Sequence, residues 1–158
     1  MGREKQRIDS RSLANDILLG SGTGHVEINA LVKIARGCLR HAHVPYSNFA
    51  VGAAIVDDRG LNFTGANVEN ASYGLTMCAE RVAIFSAIAN GAKAIRTVVV
   101  SSAKARPVSP CGACRQVMAE FCEPNAMFFS DAGRGRIVSC AARDLLPYAF
   151  VGSALQQA

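Results

Sequence analysis

The chain has 158 residues, half of them hydrophobic and 18% charged. That length suits one domain, and that composition is typical of a globular protein and excludes an intrinsically disordered one. The formal charge of +5 is partly concentrated in the first eleven residues and only 6% of residues are aromatic, so we expect no nucleic-acid partner.

The N-terminal residues differ from the rest of the chain. Residues 1–24 carry no sustained hydrophobic period and end in a glycine-rich run, which predicts a flexible tail. A domain is expected over residues 25–158. It begins with a helix at residues 26–41, where apolar residues recur at helical spacing.

Strands and helices alternate through the remainder. The apolar residues of 78–90 extend nearly all round a helix, which predicts that this helix is buried, and Gly91 is its C-terminal stop. A third helix is expected over residues 112–121. The other predicted elements are strands at residues 49–56, 61–68, 95–101, 126–129 and 137–138, a hairpin turn at 57–60 and a short helix at 141–146. This order predicts an α/β fold, a three-layer α-β-α arrangement with a mixed sheet of about five strands.

The six cysteines indicate a compartment and a chemistry. No secretory signal is visible, because the first twelve residues are charged and the apolar run at 17–19 is short. No segment approaches the roughly 20 apolar residues of a membrane helix, so no membrane association is expected. We therefore expect a cytoplasmic protein, in which clustered cysteines suggest a metal site or catalysis.

Two segments carry that chemistry: Cys78-Ala79-Glu80-Arg81 and Pro110-Cys111-Gly112-Ala113-Cys114. Cysteines three apart at a helix start share one face, and the free N–H groups there stabilise thiolates. Three thiolates can hold one zinc ion at about 2.3 Å each and leave a tetrahedral position open, as catalytic zinc requires. The histidines lie away from both segments, so the fourth ligand is expected to be water. The predicted zinc ligands are Cys78, Cys111 and Cys114.

Glu80 and Arg81 are the predicted partners of that metal. A carboxylate beside zinc-bound water can take its proton and pass it to a substrate nitrogen. Arg81 is expected to donate to the thiolates and so restore acidity to the metal. Taken singly, the parts have other interpretations: the cysteine pair could be a redox or structural-zinc motif, and Glu80 could be half of a buried ion pair.

The combination of the two segments is the known signature of zinc nucleobase deaminases, in which three cysteines are an allowed ligand set. With PYSNFAVGAA at residues 45–54, NVENASYGLTMCAER at 67–81 and LLPYAF at 145–150, the chain resembles the cytidine deaminase family, of the small homotetrameric type. The resemblance implies hydrolytic deamination of cytidine and deoxycytidine to uridine and deoxyuridine, with release of ammonia, in pyrimidine salvage. It also implies a zinc-bound hydroxide and a glutamate proton shuttle.

The resemblance implies substrate contacts as well. Asn67 and Glu69 match the pair that holds the ribose 3′-hydroxyl, and Phe49 matches the aromatic residue that packs on the base. The backbone N–H of Ala79 matches the donor to the base carbonyl. The positions that a neighbouring subunit contributes to the site are matched by Ala71, Tyr73 and Phe150. A homotetramer with shared sites is therefore implied.

Other function classes stay open from the sequence. A deaminase acting on RNA or DNA needs a basic, aromatic-lined channel, which this composition disfavours. A zinc-stabilised binding module needs a fourth protein ligand, for which we find no candidate. Blasticidin-type deaminases share the zinc motif but lack the Asn-x-Glu-Asn run at residues 67–70, so an unmodified ribose or deoxyribose is preferred.

Overall fold

A computed structural model of the chain describes residues 28–152. The predicted tail over residues 1–24 and the predicted domain start at residue 25 lie outside the described residues. The helices and strands are α1 (Ile28–Cys38), β1 (Val51–Asp57), β2 (Asn62–Ala66), α2 (Ala79–Ala89), β3 (Ile95–Ser102), α3 (Gly112–Phe121), β4 (Cys122–Gly133) and β5 (Arg136–Ala141). Short 3-10 turns lie at Leu39–His41, Tyr73–Leu75 and Ala142–Leu145.

The five strands form one mixed sheet in the order β2-β1-β3-β4-β5. Only β3 and β4 run parallel, and the other neighbours are antiparallel. A parallel pair needs a crossover connection, and α3 supplies it between β3 and β4. The predicted mixed sheet of five strands is confirmed.

Helices cover both faces of the sheet. Along β1, Ala54 and Val56 point to the face that packs against α1, with Leu31 and Ala35 among the helix contacts. Their neighbours along the strand point to the opposite face, because side chains alternate along a strand. That second face packs against α2 and α3 through Ala53, Ile55, Ala83, Ile84, Ala87, Cys114 and Met118. The three-layer prediction is confirmed.

The start of α2 lies directly on β2. A Cβ atom at Gly65 would collide with the backbone carbonyl of Ala79 and come within 2.7 Å of the backbone nitrogen of Ala83. Glycine is therefore required there for close backbone approach. This contact holds the first turn of α2, which carries Glu80, at a defined height above the sheet.

Three predictions were wrong in extent. β4 runs from 122 to 133, well beyond the predicted 126–129, because pairing with β5 extends it to Gly133 and Cys122 pairs with Ile95 of β3. β5 spans Arg136–Ala141 and not only the predicted 137–138. α2 is not buried all round, since Phe85 is 40% exposed. Phe85 contacts the ring of Phe121 in α3 edge-on, with the ring centroids 6.5 Å apart.

The described part of the chain, residues 28–152, contains no helix with the length and apolar character needed to span a membrane.

Candidate active site and metal centre

Three cysteine sulfurs meet where α2 and α3 begin. Cys78 is the N-cap of α2, Cys111 is the N-cap of α3, and Cys114 lies in the first turn of α3. The Sγ atoms of Cys78 and Cys111 are 3.6 Å apart, and those of Cys111 and Cys114 are 3.5 Å apart. All three lie within 4.8 Å of one another. Tetrahedral zinc with bonds of about 2.3 Å separates its sulfur ligands by about 3.8 Å, so this donor set fits zinc.

Hydrogen bonding within the cysteine cluster favours the thiolate form of Cys78. The pKa of Cys78 is lowered to about 5, first by a hydrogen bond with Cys114 and further by Arg81. The pKa of Cys114 is raised, first by the same hydrogen bond and then by burial. Neither capping cysteine uses its side chain as a helix cap within the described chain. Metal binding replaces such thiol protons.

Arg81 directs its guanidinium at this cluster. Its Nη2 donates to the backbone carbonyl of Thr76 at 3.1 Å and to the Sγ of Cys78 at 3.7 Å. Its Nε is buried without a hydrogen-bond partner among the described residues. Burial acts to lower the pKa of Arg81, but the hydrogen bond and charge of Cys78 outweigh it, and the pKa is raised. A half-buried cation with an unused buried donor suits a site that carries the negative charge of several thiolates.

Glu80 is the buried carboxyl group of the site. It lies in the first turn of α2 and is 5% exposed. Its pKa is raised, chiefly by burial and further by the negative charge of Cys78. A carboxylate whose pKa is raised above its ordinary value is a stronger base, which suits a group that takes up and passes on a proton in general acid–base catalysis.

A pocket of about 330 Å³ lies beside Glu69. Glu69 Oε2 accepts hydrogen bonds from the backbone N–H groups of Tyr46 at 2.9 Å and Ser47 at 3.2 Å. A hydrogen bond with the Ser47 side chain, followed by these two backbone bonds, lowers the pKa of Glu69. The residues that line the pocket are Tyr46, Ser47, Glu69, Tyr73 and Thr76. The structure therefore brings together two predicted substrate residues, Glu69 and Tyr73.

Asn67 ties two segments together. Its Oδ1 accepts from the backbone N–H of Val51 at 2.8 Å, and its Nδ2 donates to the backbone carbonyl of Phe49 at 2.9 Å. Phe49, the predicted base-packing residue, is half-buried and has its backbone held by this amide. The bridging role of Asn67 was not predicted from the sequence.

The other predicted substrate residues lie apart from the pocket lining. Ala79 is fully buried at the start of α2. Ala71 is exposed, and Phe150 is 60% exposed. Neither of these exposed residues lines the pocket within the described chain.

Sequence reasoning missed Tyr46, Ser47 and Thr76 in the pocket wall and Arg115 beside the cysteines. Ser47 and Thr76 stand inside the two motif segments already quoted, at 45–54 and 67–81, so position was the available signal. For Arg115, the available signal was its position directly after the predicted zinc ligand Cys114.

Comparison with known proteins agrees with this geometry. The family model for the cytidine and deoxycytidylate deaminase zinc-binding region matches residues 20–130. A cytidine deaminase from Halalkalibacterium halodurans is 47% identical over 120 residues, which cover 76% of this chain and 91% of that protein. The chain belongs to the cytidine deaminase family. Because that family model describes a zinc-binding region and the three sulfurs fit zinc, the cofactor of this family member is zinc.

Solved structures of cytidine deaminases have the same fold. The crystal structure of cytidine deaminase from Burkholderia pseudomallei superposes with a TM-score of 0.73 at 45% identity, covering 81% of this chain and 100% of that one. A blasticidin-S deaminase from Bacillus cereus is more distant, at 31% identity over 108 residues, 63% of this chain and 76% of that protein.

Proposed function

We propose that this member of the cytidine deaminase family hydrolyses cytidine and deoxycytidine to uridine and deoxyuridine, releasing ammonia, in pyrimidine salvage. The observation that carries the proposal is the buried carboxyl group of Glu80, two residues after one of three clustered cysteine sulfurs. The proteins from H. halodurans and B. pseudomallei, which the chain matches over 91% and 100% of their length, are both cytidine deaminases.

The three cysteines hold one zinc ion per chain in this proposal. Zinc bound by Cys78, Cys111 and Cys114 supplies the Lewis acidity that activates water for attack on C4 of the base. Arg81 donates to Cys78 and offsets the negative charge of three thiolates. The N-terminal end of α2, which Cys78 caps, favours the thiolate form of that cysteine.

Glu80 moves the proton. Its carboxylate accepts a proton from the attacking water and delivers it to the substrate nitrogen, so that the amino group leaves as neutral ammonia. Burial of Glu80 keeps bulk water from competing for that proton.

The neighbouring residues bind the nucleoside. Glu69 and Asn67 hold the 3′-hydroxyl of the sugar, which is supported by the carboxylate of Glu69 in the pocket wall. Phe49 packs on the base. Ala79 donates its backbone N–H to the base carbonyl, which is supported by its position as the first residue of α2, where backbone N–H groups have no intrahelical acceptor.

The proposed assembly is a homotetramer in which each site is completed by a neighbour. Ala71, Tyr73 and Phe150 are the residues contributed across subunits. Ala71 and Phe150 are exposed and lie outside the pocket of their own chain, which supports this role. Tyr73 lines that pocket but is 74% exposed, so it can also reach a neighbour. Light scattering of the purified protein measures the assembly directly, and a monomer with full activity would contradict shared sites.

We also propose a catalytic domain over residues 25–158, preceded by a tail that catalysis does not need, and a cytoplasmic location. None of the six cysteines, all of which lie within residues 28–152, is paired in a disulfide, which suits a reducing compartment. Deletion of residues 1–24 should leave kcat/KM within about twofold of the parent and zinc content unchanged, as a cytidine assay and metal analysis would test. A large loss of activity would place part of the tail in the catalytic unit.

The decisive experiment compares the parent with Glu80→Gln. The loss of absorbance as cytosine becomes uracil follows turnover, and metal analysis gives the zinc content of each protein. We expect about one zinc per chain in both and a loss of at least about 100-fold in kcat for Glu80→Gln. Glu120→Gln, an exposed carboxylate in α3, is the matched control and should keep full activity. Zinc binding by the parent without turnover of either nucleoside would overturn the proposed substrate.

A further inference from the structure

Arg115 directly follows the metal ligand Cys114, and its guanidinium makes three hydrogen bonds to two separate segments. Nε donates to the backbone carbonyl of Pro110 at 2.9 Å, and Nη2 donates to the Oγ of Ser109 at 2.9 Å. Nη1 donates to the backbone carbonyl of Leu145 at 3.2 Å. The Arg115 side chain is thus hydrogen-bonded both to the turn that precedes Cys111 and to the start of the C-terminal segment, residues 145–150.

Gln116 bonds the other end of that segment. Its Nε2 donates to the backbone carbonyl of Phe150 at 2.7 Å. Leu145 packs against the core, but Tyr148 is fully exposed and Phe150 is 60% exposed, so side-chain packing within the described chain contributes little beyond Leu145. The end of the segment is therefore held on α3 mainly by Gln116, and Arg115 fixes the backbone at its start.

We propose that Arg115 is a positioning residue that couples the metal-binding turn to the C-terminal segment; the inference rests on the proposed zinc site. The guanidinium is planar and rigid, so the directions of its three donors are fixed relative to one another. A shift of Ser109 and Pro110 moves the guanidinium and with it the bond to Leu145. The position of Cys111 and the docking of residues 145–150 are thereby linked through one group.

The linkage has a direct consequence for the zinc-free protein. Without the metal, Cys111 is no longer held to Cys78 and Cys114, and the turn before it gains freedom. Arg115 transmits this freedom to the carbonyl of Leu145, so the backbone of the C-terminal segment opens more often. Gln116 contacts the segment but not the turn, and so it cannot transmit the change.

Hydrogen exchange and zinc release test the coupling on the full chain. Exchange is measured over residues 146–152 in the zinc-loaded and zinc-free proteins, and zinc release to a chelator is timed for the loaded ones. Arg115→Lys keeps the charge but removes the fixed donor geometry. It should release zinc about 10-fold faster than the parent and exchange faster over the segment.

Three further variants separate coupling from general damage. Gln116→Ala should speed exchange over residues 146–152 and leave zinc release unchanged. Ser109→Ala, which removes one bond to the guanidinium, should speed zinc release about threefold. Arg96→Met removes an ion pair with Glu123 elsewhere in the sheet, and should alter neither measurement.

The decisive comparison is the effect of zinc removal on exchange. It should speed exchange over residues 146–152 in the parent by several-fold and add little in Arg115→Lys. An equal effect in both proteins, or parent-like zinc release in Arg115→Lys, would overturn the coupling while leaving the proposed function intact. A parent that binds no zinc would overturn the proposed function and this inference with it.

Discussion

Asn67 has both polar atoms of its amide engaged with the backbone, although its position matches a substrate-binding residue. It joins the end of β2 to the backbone on either side of Ala50. These two hydrogen bonds fix the orientation of the amide, and that orientation is needed for its contact with a sugar hydroxyl. Structural and binding roles are therefore combined in one side chain.

Replacing Asn67 by Ala should lower the free energy of unfolding by about 1–3 kcal/mol, because two backbone groups lose their partner. KM for cytidine should rise in parallel. Urea denaturation and steady-state kinetics would measure the two effects. Asn62→Ala, at an exposed position of β2, is the control. An unchanged unfolding free energy for Asn67→Ala would refute the bridging role.

Glu69→Gln should separate binding from folding. Glutamine keeps an acceptor for the N–H groups of Tyr46 and Ser47 but loses the charge. We expect KM for cytidine to rise about 10-fold with zinc content unchanged, as kinetics and metal analysis would show. Equal losses of zinc and activity would mean that Glu69 is structural.

At this scale the sequence predicted residues whose chemistry is visible in their type and spacing. Cys78, Cys111, Cys114 and Glu80 belong to that group. The contacts of Arg115 could not be predicted, because Leu145 lies 30 residues away along the chain and only the folded structure brings its carbonyl near. The donors of arginine fit many acceptors, so its identity alone selects none of them.

Among the elements, the contact between α2 and β2 at Gly65 controls the position of the catalytic turn. Gly65→Ala should lower the free energy of unfolding by about 1–3 kcal/mol, because the added methyl group meets backbone atoms of α2 and cannot be accommodated by a side-chain rotation. Cytidine turnover should fall by more than the loss of folded protein accounts for, because Glu80 shifts with α2.

Thermal unfolding and cytidine turnover at a temperature well below the transition would test this prediction. Gly37→Ala is the matched control, because no atom of residues 28–152 lies within 4 Å of the added Cβ and alanine favours the helix by about 0.5–1 kcal/mol. Equal behaviour of the two variants would show that the close approach at Gly65 is unimportant.

The boundaries of the elements were predictable only where local residues determine them. α3 spans Gly112–Phe121 as predicted, because Pro110 and Cys111 mark its beginning. β4 extends beyond its apolar centre because Cys122 pairs with β3 at one end and Asp131 and Gly133 pair with β5 at the other. Those partners are distant in sequence, so a local pattern containing Pro124 and Asn125 gives no indication of a strand.

For the whole molecule, a buried ion pair links α1 to the sheet. Both oxygens of Asp131 accept hydrogen bonds from Arg36 at 2.7 Å, and Ser101 donates to the same carboxylate. These interactions, Arg36 first, hold the pKa of Asp131 well below its usual range. A lowered pKa in the folded state stabilises the protein above the unfolded-state pKa of about 4. That contribution is lost as the pH falls below it.

Asp131→Asn should therefore cost about 2 kcal/mol at pH 7, less than a fully buried pair because Arg36 is 39% exposed. The difference from the parent should shrink as the pH is lowered from 5 towards 2. Denaturation curves over this range would measure it. Asp144→Asn, at an exposed position, should show no such trend, and a constant difference for Asp131→Asn would contradict the assignment.

The two capping cysteines are 33 residues apart in sequence, and the chain between them includes α2 and β3. A shared metal ion therefore closes a loop around the middle of the fold, as a reversible cross-link would. Closing a loop of this length removes about 3–4 kcal/mol of chain entropy from the unfolded state. Metal supply would then affect the stability of the folded protein as well as its activity, and a chelator would lower the free energy of unfolding of this enzyme.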